Sequence, residues 1–240
     1  KISGREVVIS PDLARVAMPI QQAAQVQPTE TEQRILLLTR NLCERLNIKR
    51  FVPDQIAWAL SIPMGRTVVL LPSDQFSFIQ DNVFVPASLK ERMQPEELEP
   101  LIASSLINDF VLFRERARKL AVRLLPTLLL IIPMIVAFGV AVAGTFDPVS
   151  STIAGVFGVV LIILTWILNL WQGASIRQKE RLKADRQAAD TVGHDRFTQS
   201  LQKLQSFRLP DIEKREKQGF TTHFSKSPKL SRRIRNLGGP

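Results

Sequence analysis

Ser104 and Asn108 stand four residues apart in the stretch from Gln94 to Arg118, with Ser105 beside the first. On a helix, that spacing places two side chains on one face. Two imidazoles so placed grip a metal ion, and a carboxylate next to the first takes a proton from bound water. Hydroxyl and amide groups are poor donors for such an ion. A serine nucleophile needs a base, and the sequence places none beside Ser104 or Ser105. Their expected role is hydrogen bonding back to the preceding helical turn. The chain holds only two histidines, His194 and His223, far apart in sequence. His223, in a Thr-Thr-His-Phe loop, reads as structural. The one cysteine, Cys43, allows neither an intrachain disulfide nor a thiolate zinc site. It reads as a small buried residue.

The elements that carry these residues follow from local patterns. Pro95, Glu96 and Glu97 suit a helix first turn. Leu98, Leu101, Ile102, Leu106 and Phe110 recur at helical spacing, which predicts a helix from Pro95 to about Lys119. Upstream, Thr29 to Glu32 has capping-box spacing, and Ile35, Leu38, Leu42 and Leu46 form one stripe. A helix from Glu30 to Leu46 is expected. Val7 to Ile9 reads as a short strand. Between Asn47 and Gln94, short β-branched or apolar runs alternate with turn residues, among them Pro63-Met64-Gly65 and Pro72-Ser73-Asp74. That alternation predicts a small, mostly antiparallel sheet. Downstream, Ile176 to Gln205 reads as helix with a break at Gly193, and Leu182, Ala189, Phe197, Leu201 and Leu204 are candidate core residues. Leu230 to Leu237 reads as a short basic helix.

No charged residue occurs from Leu124 to Phe146 or from Pro148 to Ile176. Each stretch exceeds the ~20 residues needed to cross a hydrocarbon core. Pro126 and Pro133 are tolerated in such a helix. A short turn separates the two, so the expected unit is a helical hairpin. Arg114, Arg116, Arg118, Lys119 and Arg123 flank one end, and Arg177, Lys179, Arg181 and Lys183 the other. By the positive-inside rule both ends lie on the cytosol-like side. The formal net charge of +10 and the basic tail suit an anionic membrane face better than nucleic acid.

The order of parts resembles the HtpX-type and CAAX-prenyl-protease-type integral-membrane zinc metallopeptidases over roughly Glu32 to Leu237. Ala57 to Leu60 followed by Pro63 to Val69 is similar to that family's strand and glycine turn. Pro95 to Ala103 resembles the lead-in to its metal-binding helix. Ala184-Asp185 matches the A-D of its E-x-x-A-D motif. Thr222-His223 and Arg233 to Leu237 resemble its closing segment. The resemblance implies that the two His ligands are replaced by Ser104 and Asn108, the general-base Glu by Ser105, and the third ligand by Arg181. A guanidinium at a ligand position repels a metal ion. Glu180 adjoins Arg181, but one helical residue turns it ~100° away.

The resulting expectation is an α+β fold, a mostly helical zincin-like domain with a small antiparallel sheet and an inserted two-helix transmembrane hairpin. Residues 1–28 form an N-terminal segment, 29–119 and 177–240 the degenerate peptidase-like domain, and 120–176 the hairpin, with spans near 124–146 and 150–172. The expected function is a catalytically inactive scaffold, partner-binding or regulatory subunit without zinc. The alternatives are an active membrane zinc metalloendopeptidase with a non-standard site, and a membrane-tethering or membrane-shaping hairpin protein. Ser104, Asn108, Arg181, Asp185 and His223 are the candidate cleft residues. Asp185 is expected to cap a helix or pair with a nearby arginine. The expected partners are the lipid bilayer and another membrane protein or an extended peptide, with no nucleic acid. The expected location is an integral membrane, with both termini on the cytosol-like side.

Overall fold

The computed structural model describes residues 28–64, 67–142, 148–219, 225 and 227–238. The strand expected at Val7 to Ile9, the turn centred on Asp147 and the loop holding His223 lie outside the described residues.

The fold is mixed α+β, mostly helical with a small sheet. Helix α1 (Glu30–Arg45) starts where the sequence says it should. The Thr29 side chain accepts from Glu32 N, and the Glu32 carboxylate accepts from Thr29 N at 2.9 Å. Ile35 and Leu42 of its stripe are fully buried. Five strands follow: β1 (Gln55–Ala59), β2 (Ser61–Met64), β3 (Thr67–Leu70), β4 (Ser77–Ile79) and β5 (Asn82–Pro86).

They form two sheets, and not with the expected topology. β4 pairs antiparallel with β5, but β1 runs parallel to β5, with Trp58 opposite Val85. β2 and β3 form a separate antiparallel ribbon. Pro63 and Met64, expected as part of a Pro63-Met64-Gly65 separator, therefore lie in a strand. Pro63 is tolerated because a two-stranded ribbon has free edges. β5 is the central strand and is buried from Val83 to Pro86.

Helix α2 (Pro95–Leu106) runs through the middle of the domain and packs against α1 and the helices that follow. Its residues from Leu98 to Leu106 are all buried. A helix enclosed on every side has no solvent face, so its polar side chains must find partners within the protein.

The expected uninterrupted helix to Lys119 does not form. A π-helical turn occupies Ile107–Val111, and Leu112 N donates to Ile107 O at 2.9 Å. The wider turn swings Phe110 into an aromatic cluster with Phe51 and Phe78, at centroid distances of 5.2 and 5.8 Å. Packing against the sheet thus favours a register that a regular helix would not supply.

Beyond it run α3 (Phe113–Val142) and α4 (Pro148–Val192), which lie against each other. They are antiparallel: Lys119 meets Glu180 at 2.5 Å while Glu115 meets Lys183 at 2.6 Å. One helix among the described residues, Gly155–Val192 within α4, is long and apolar enough to cross a membrane. Its large apolar side chains, including Phe157, Ile163, Leu164 and Trp166, stay exposed.

Gly193 ends α4 with φ +101°, a conformation that side chains rarely adopt. After it come α5 (His194–Ser206), α6 (Pro210–Lys217) and α7 (Leu230–Leu237). Ala189, Phe197, Leu201 and Leu204 join the core, while Leu182 is half-buried. Helix α6 was not expected. Its charged sequence hides a start marked by Pro210 at the first turn.

Candidate functional site

Five elements converge around the middle of α2. Successive residues on a helix point ~100° apart, so Ser104 and Ser105 leave enclosed α2 in different directions. Ser104 Oγ donates to Asp185 Oδ1 on α4 at 2.5 Å. Ser105 Oγ accepts from Phe76 N at 3.2 Å and from Arg181 Nη2 on α4 at 3.2 Å. Both hydroxyls therefore reach across to other elements. The expected bonding back to their own helix is replaced because α2 is surrounded by groups that need partners.

Arg181 and Asp185 lie one helical turn apart on the buried face of α4. Arg181 also donates to Asp74 O at 3.2 Å. Its Nε faces Asp185 Oδ1 at 4.0 Å and has no hydrogen-bond partner among the described residues.

Asp185 is held chiefly by Arg233 of α7, whose Nε and Nη2 donate to its two oxygens, each at 2.8 Å. This bidentate fork is the stronger geometry for a carboxylate–guanidinium pair. Arg233 Nη1 donates in turn to Asp74 Oδ2 at 2.8 Å. Arg215 of α6 holds Asp74 from the other side at 2.7 and 3.2 Å. Arg233 and Asp185 are both fully buried.

The charges balance across the cluster. Three guanidinium groups face Asp74 and Asp185, and Asp109 lies within electrostatic reach of Arg181. Burial acts to raise the Asp74 carboxyl, but Arg215, Arg233 and Arg181 outweigh it and hold it at about 2. Burial and the neighbouring Arg233 pull Arg181 down to about 10, still charged at neutral pH. For Arg233, burial works downward, but Asp185 and Asp74 carry its pKa above the usual value. Burial raises the Asp109 carboxyl despite Arg181 and its hydrogen bond from Asn108.

Asn108 does not join the cluster. The π turn that begins at Ile107 places its amide on Asp109 Oδ1 at 2.7 Å, and its oxygen accepts from Arg116 at 3.3 Å. The face that spacing assigned jointly to Ser104 and Asn108 is thus split. His194 sits apart on the exposed start of α5, 3.0 Å from Asp190. Glu180 turns to Lys119, away from Arg181's partners. Cys43 is buried, and desolvation pushes its thiol up to about 11.

Asp74 and Arg215 were not singled out by sequence reasoning, and Arg233 entered only through the closing segment. A signal for Arg233 was present. It falls at helical spacing between Leu230 and Leu237, both buried, so an arginine interrupts an apolar stripe. Such a cation must meet carboxylates in the core. Asp74 gave no comparable signal, since Pro-Ser-Asp reads as an ordinary turn. The same segment is tied down again where Asp211 accepts from Ser73 N at 2.9 Å and from its hydroxyl at 2.8 Å.

Fold and site together define an α+β chain with a long apolar helix and, at the crossing of α2, α4, α6 and α7, a buried lattice of guanidinium and carboxylate groups. Comparisons with family models, curated proteins and solved structures return no match to this chain.

Proposed function

We propose that the chain is a catalytically inactive relative of the membrane zinc metallopeptidases, anchored by the α3–α4 hairpin and acting as a scaffold or regulatory subunit. The observation that carries the reading is the place of Arg181. At the position where the resemblance puts the third metal ligand, a buried guanidinium bonds to Ser105, itself at the position of the general base. Ser104, at the first ligand position, gives its hydrogen to Asp185. A divalent ion there would have to displace Arg233 and Arg215 from the carboxylates of Asp185 and Asp74, against the adjacent Arg181 guanidinium and a hydroxyl already engaged. The side chains present do not fit zinc. The basic residues on both outer flanks of α3 and α4 support a hairpin with its folded domain on the cytosol-like side.

The scaffold role rests on the sheet. β4 is one of the two outer strands of its three-stranded sheet among the described residues, and Phe76 just before it is hydrogen-bonded to α2. An extended peptide would add to that edge through backbone hydrogen bonds. The test uses the purified full chain, extended peptides and added zinc. Peptide binding that persists in chelator, without cleavage, is the expected result. Zinc-dependent cleavage that chelator abolishes would establish a working peptidase instead.

A further inference from the structure

The ribbon of β2 and β3 stands apart from the three-stranded sheet, and its strands pair with each other. Alternate residues of a strand share a face, as do residues opposite each other across a pair. Ile62 and its partner Val69 therefore point one way, and Val68 and Leu70 the other. Ile62 is buried, so its face turns to the protein. On the outer face Val68 is 68% and Leu70 78% exposed, and Leu60 at the ribbon's base is 63% exposed. A strand that faces water ordinarily carries charges that block association. Here the stretch from Gln55 to Ser73 holds one charged residue, Arg66, between the two strands. An apolar face without such guards marks a surface that another segment covers.

The point at which the chain enters the domain identifies the cover. Thr29 N donates to Glu32 Oε2 at 2.9 Å, and Glu32 Oε1 accepts from Trp58 Nε1 at 3.0 Å. Trp58 lies on β1, just before the ribbon. Residues 1–27 are thus tethered beside the ribbon's base. Their Val7-Val8-Ile9 run is apolar, β-branched and uncharged, which matches the chemistry of Val68 and Leu70. The stretch from Ser10 to Gln27 spans up to roughly 60 Å, well beyond the ~14 Å length of β3. Such a tether holds its end at an effective concentration on the order of millimolar. A segment of the same chain therefore outcompetes a dilute partner of equal affinity.

We infer that Val7, Val8 and Ile9 of the same chain dock on the outer face of the β2–β3 ribbon, over Val68 and Leu70. The inference rests on neither the peptidase resemblance nor the membrane anchor.

The test uses the full chain in detergent, with paired cysteines and a short bismaleimide cross-linker. Cys43 is buried and does not compete. Asp190 serves as the reference site. It is exposed, and Arg45 at the far end of α1 bonds to the neighbouring Thr191, so it lies within the tether's span but away from the ribbon. Val8→Cys with Leu70→Cys is expected to cross-link within one chain about tenfold faster than Val8→Cys with Asp190→Cys. Equal rates at the two sites would mean that the segment does not dock, and would overturn the inference. Products of doubled mass alone would make a second copy the occupant, with the same consequence. A cross-link lost on transfer from detergent to phosphatidylcholine vesicles would assign the face to lipid and also overturn it. Trypsin gives a second readout without cysteines. Cleavage after Arg5 draws Glu6, Val7 and Val8 into the protease, so docking slows it. The variant V68D/L70D changes two exposed side chains and is expected to speed that cleavage about tenfold. An unchanged rate would contradict the docking.

Discussion

Arg181 and Asp185 set the chemistry of the core at the scale of single residues. A buried ion pair adds little net stability, because desolvation offsets attraction, but removing one partner strands the other charge. Asp185→Asn leaves Arg233 with one carboxylate partner, Asp74, and is expected to cost about 3–5 kcal/mol, measured by denaturant unfolding of the full chain in detergent. A loss within experimental error would mean that the lattice is not formed in solution. Acid provides an independent check. The Asp74 carboxyl is held at about 2, below its unbound value of 3.8. A carboxylate with a depressed folded pKa adds stability that is complete above the unfolded value and is lost as pH falls from there through the folded one. Stability should therefore decline between about pH 4 and pH 2. Asp109, whose carboxyl is raised, acts in the opposite sense as pH rises above its unfolded value. In Asp74→Asn, what remains of the acid-induced decline should be smaller than in the parent chain.

At the scale of elements, α7 is the clearest case of a helix docked through a charge. Arg233 is fully buried while Arg235, two residues on, is exposed. Arg233→Met is expected to destabilise by about 3–5 kcal/mol, because Asp74 and Asp185 lose a shared partner. Arg235→Met should change stability by about 0.5 kcal/mol or less. Equal effects would show that α7 is held by its leucines alone. Much at this scale was legible in the sequence. The Thr29 box, the Ile35–Leu42 stripe, the break at Gly193 and the helix from Leu230 to Leu237 rest on short-range rules that the structure obeys. The π turn at Ile107 and the parallel pairing of β1 with β5 were not legible. Both are set by distant partners: Phe110 finds Phe51 and Phe78, and β1 finds β5 across more than twenty intervening residues. Local periodicity carries no record of such contacts. For the same reason spacing placed Asn108 beside Ser104, while the π turn sends it to Arg116.

At the scale of the whole molecule, two parts present different surfaces. The folded domain buries its charges in pairs, whereas α4 leaves Val156, Phe157, Ile163 and Trp166 exposed. Exposed apolar surface of that extent marks an interaction with lipid or protein. With the hairpin in a bilayer, the full chain should remain in the membrane pellet after alkaline carbonate washing and be released by detergent; release by carbonate alone would refute the anchor. The second uncharged stretch made the long apolar helix readable from sequence. The ionic lattice was readable only in part: Ser104 and Arg181 stood out as departures from the resembled pattern and Asp185 as a match expected to meet a cap or an arginine, but not as members of a network with Asp74, Arg215 and Arg233. The most direct test of the inactive-site reading is the zinc content of the purified full chain, incubated with zinc and then dialysed, by elemental mass spectrometry. Only trace zinc is expected, unchanged by Arg181→Gln; one zinc per chain, removable by chelator, would contradict it.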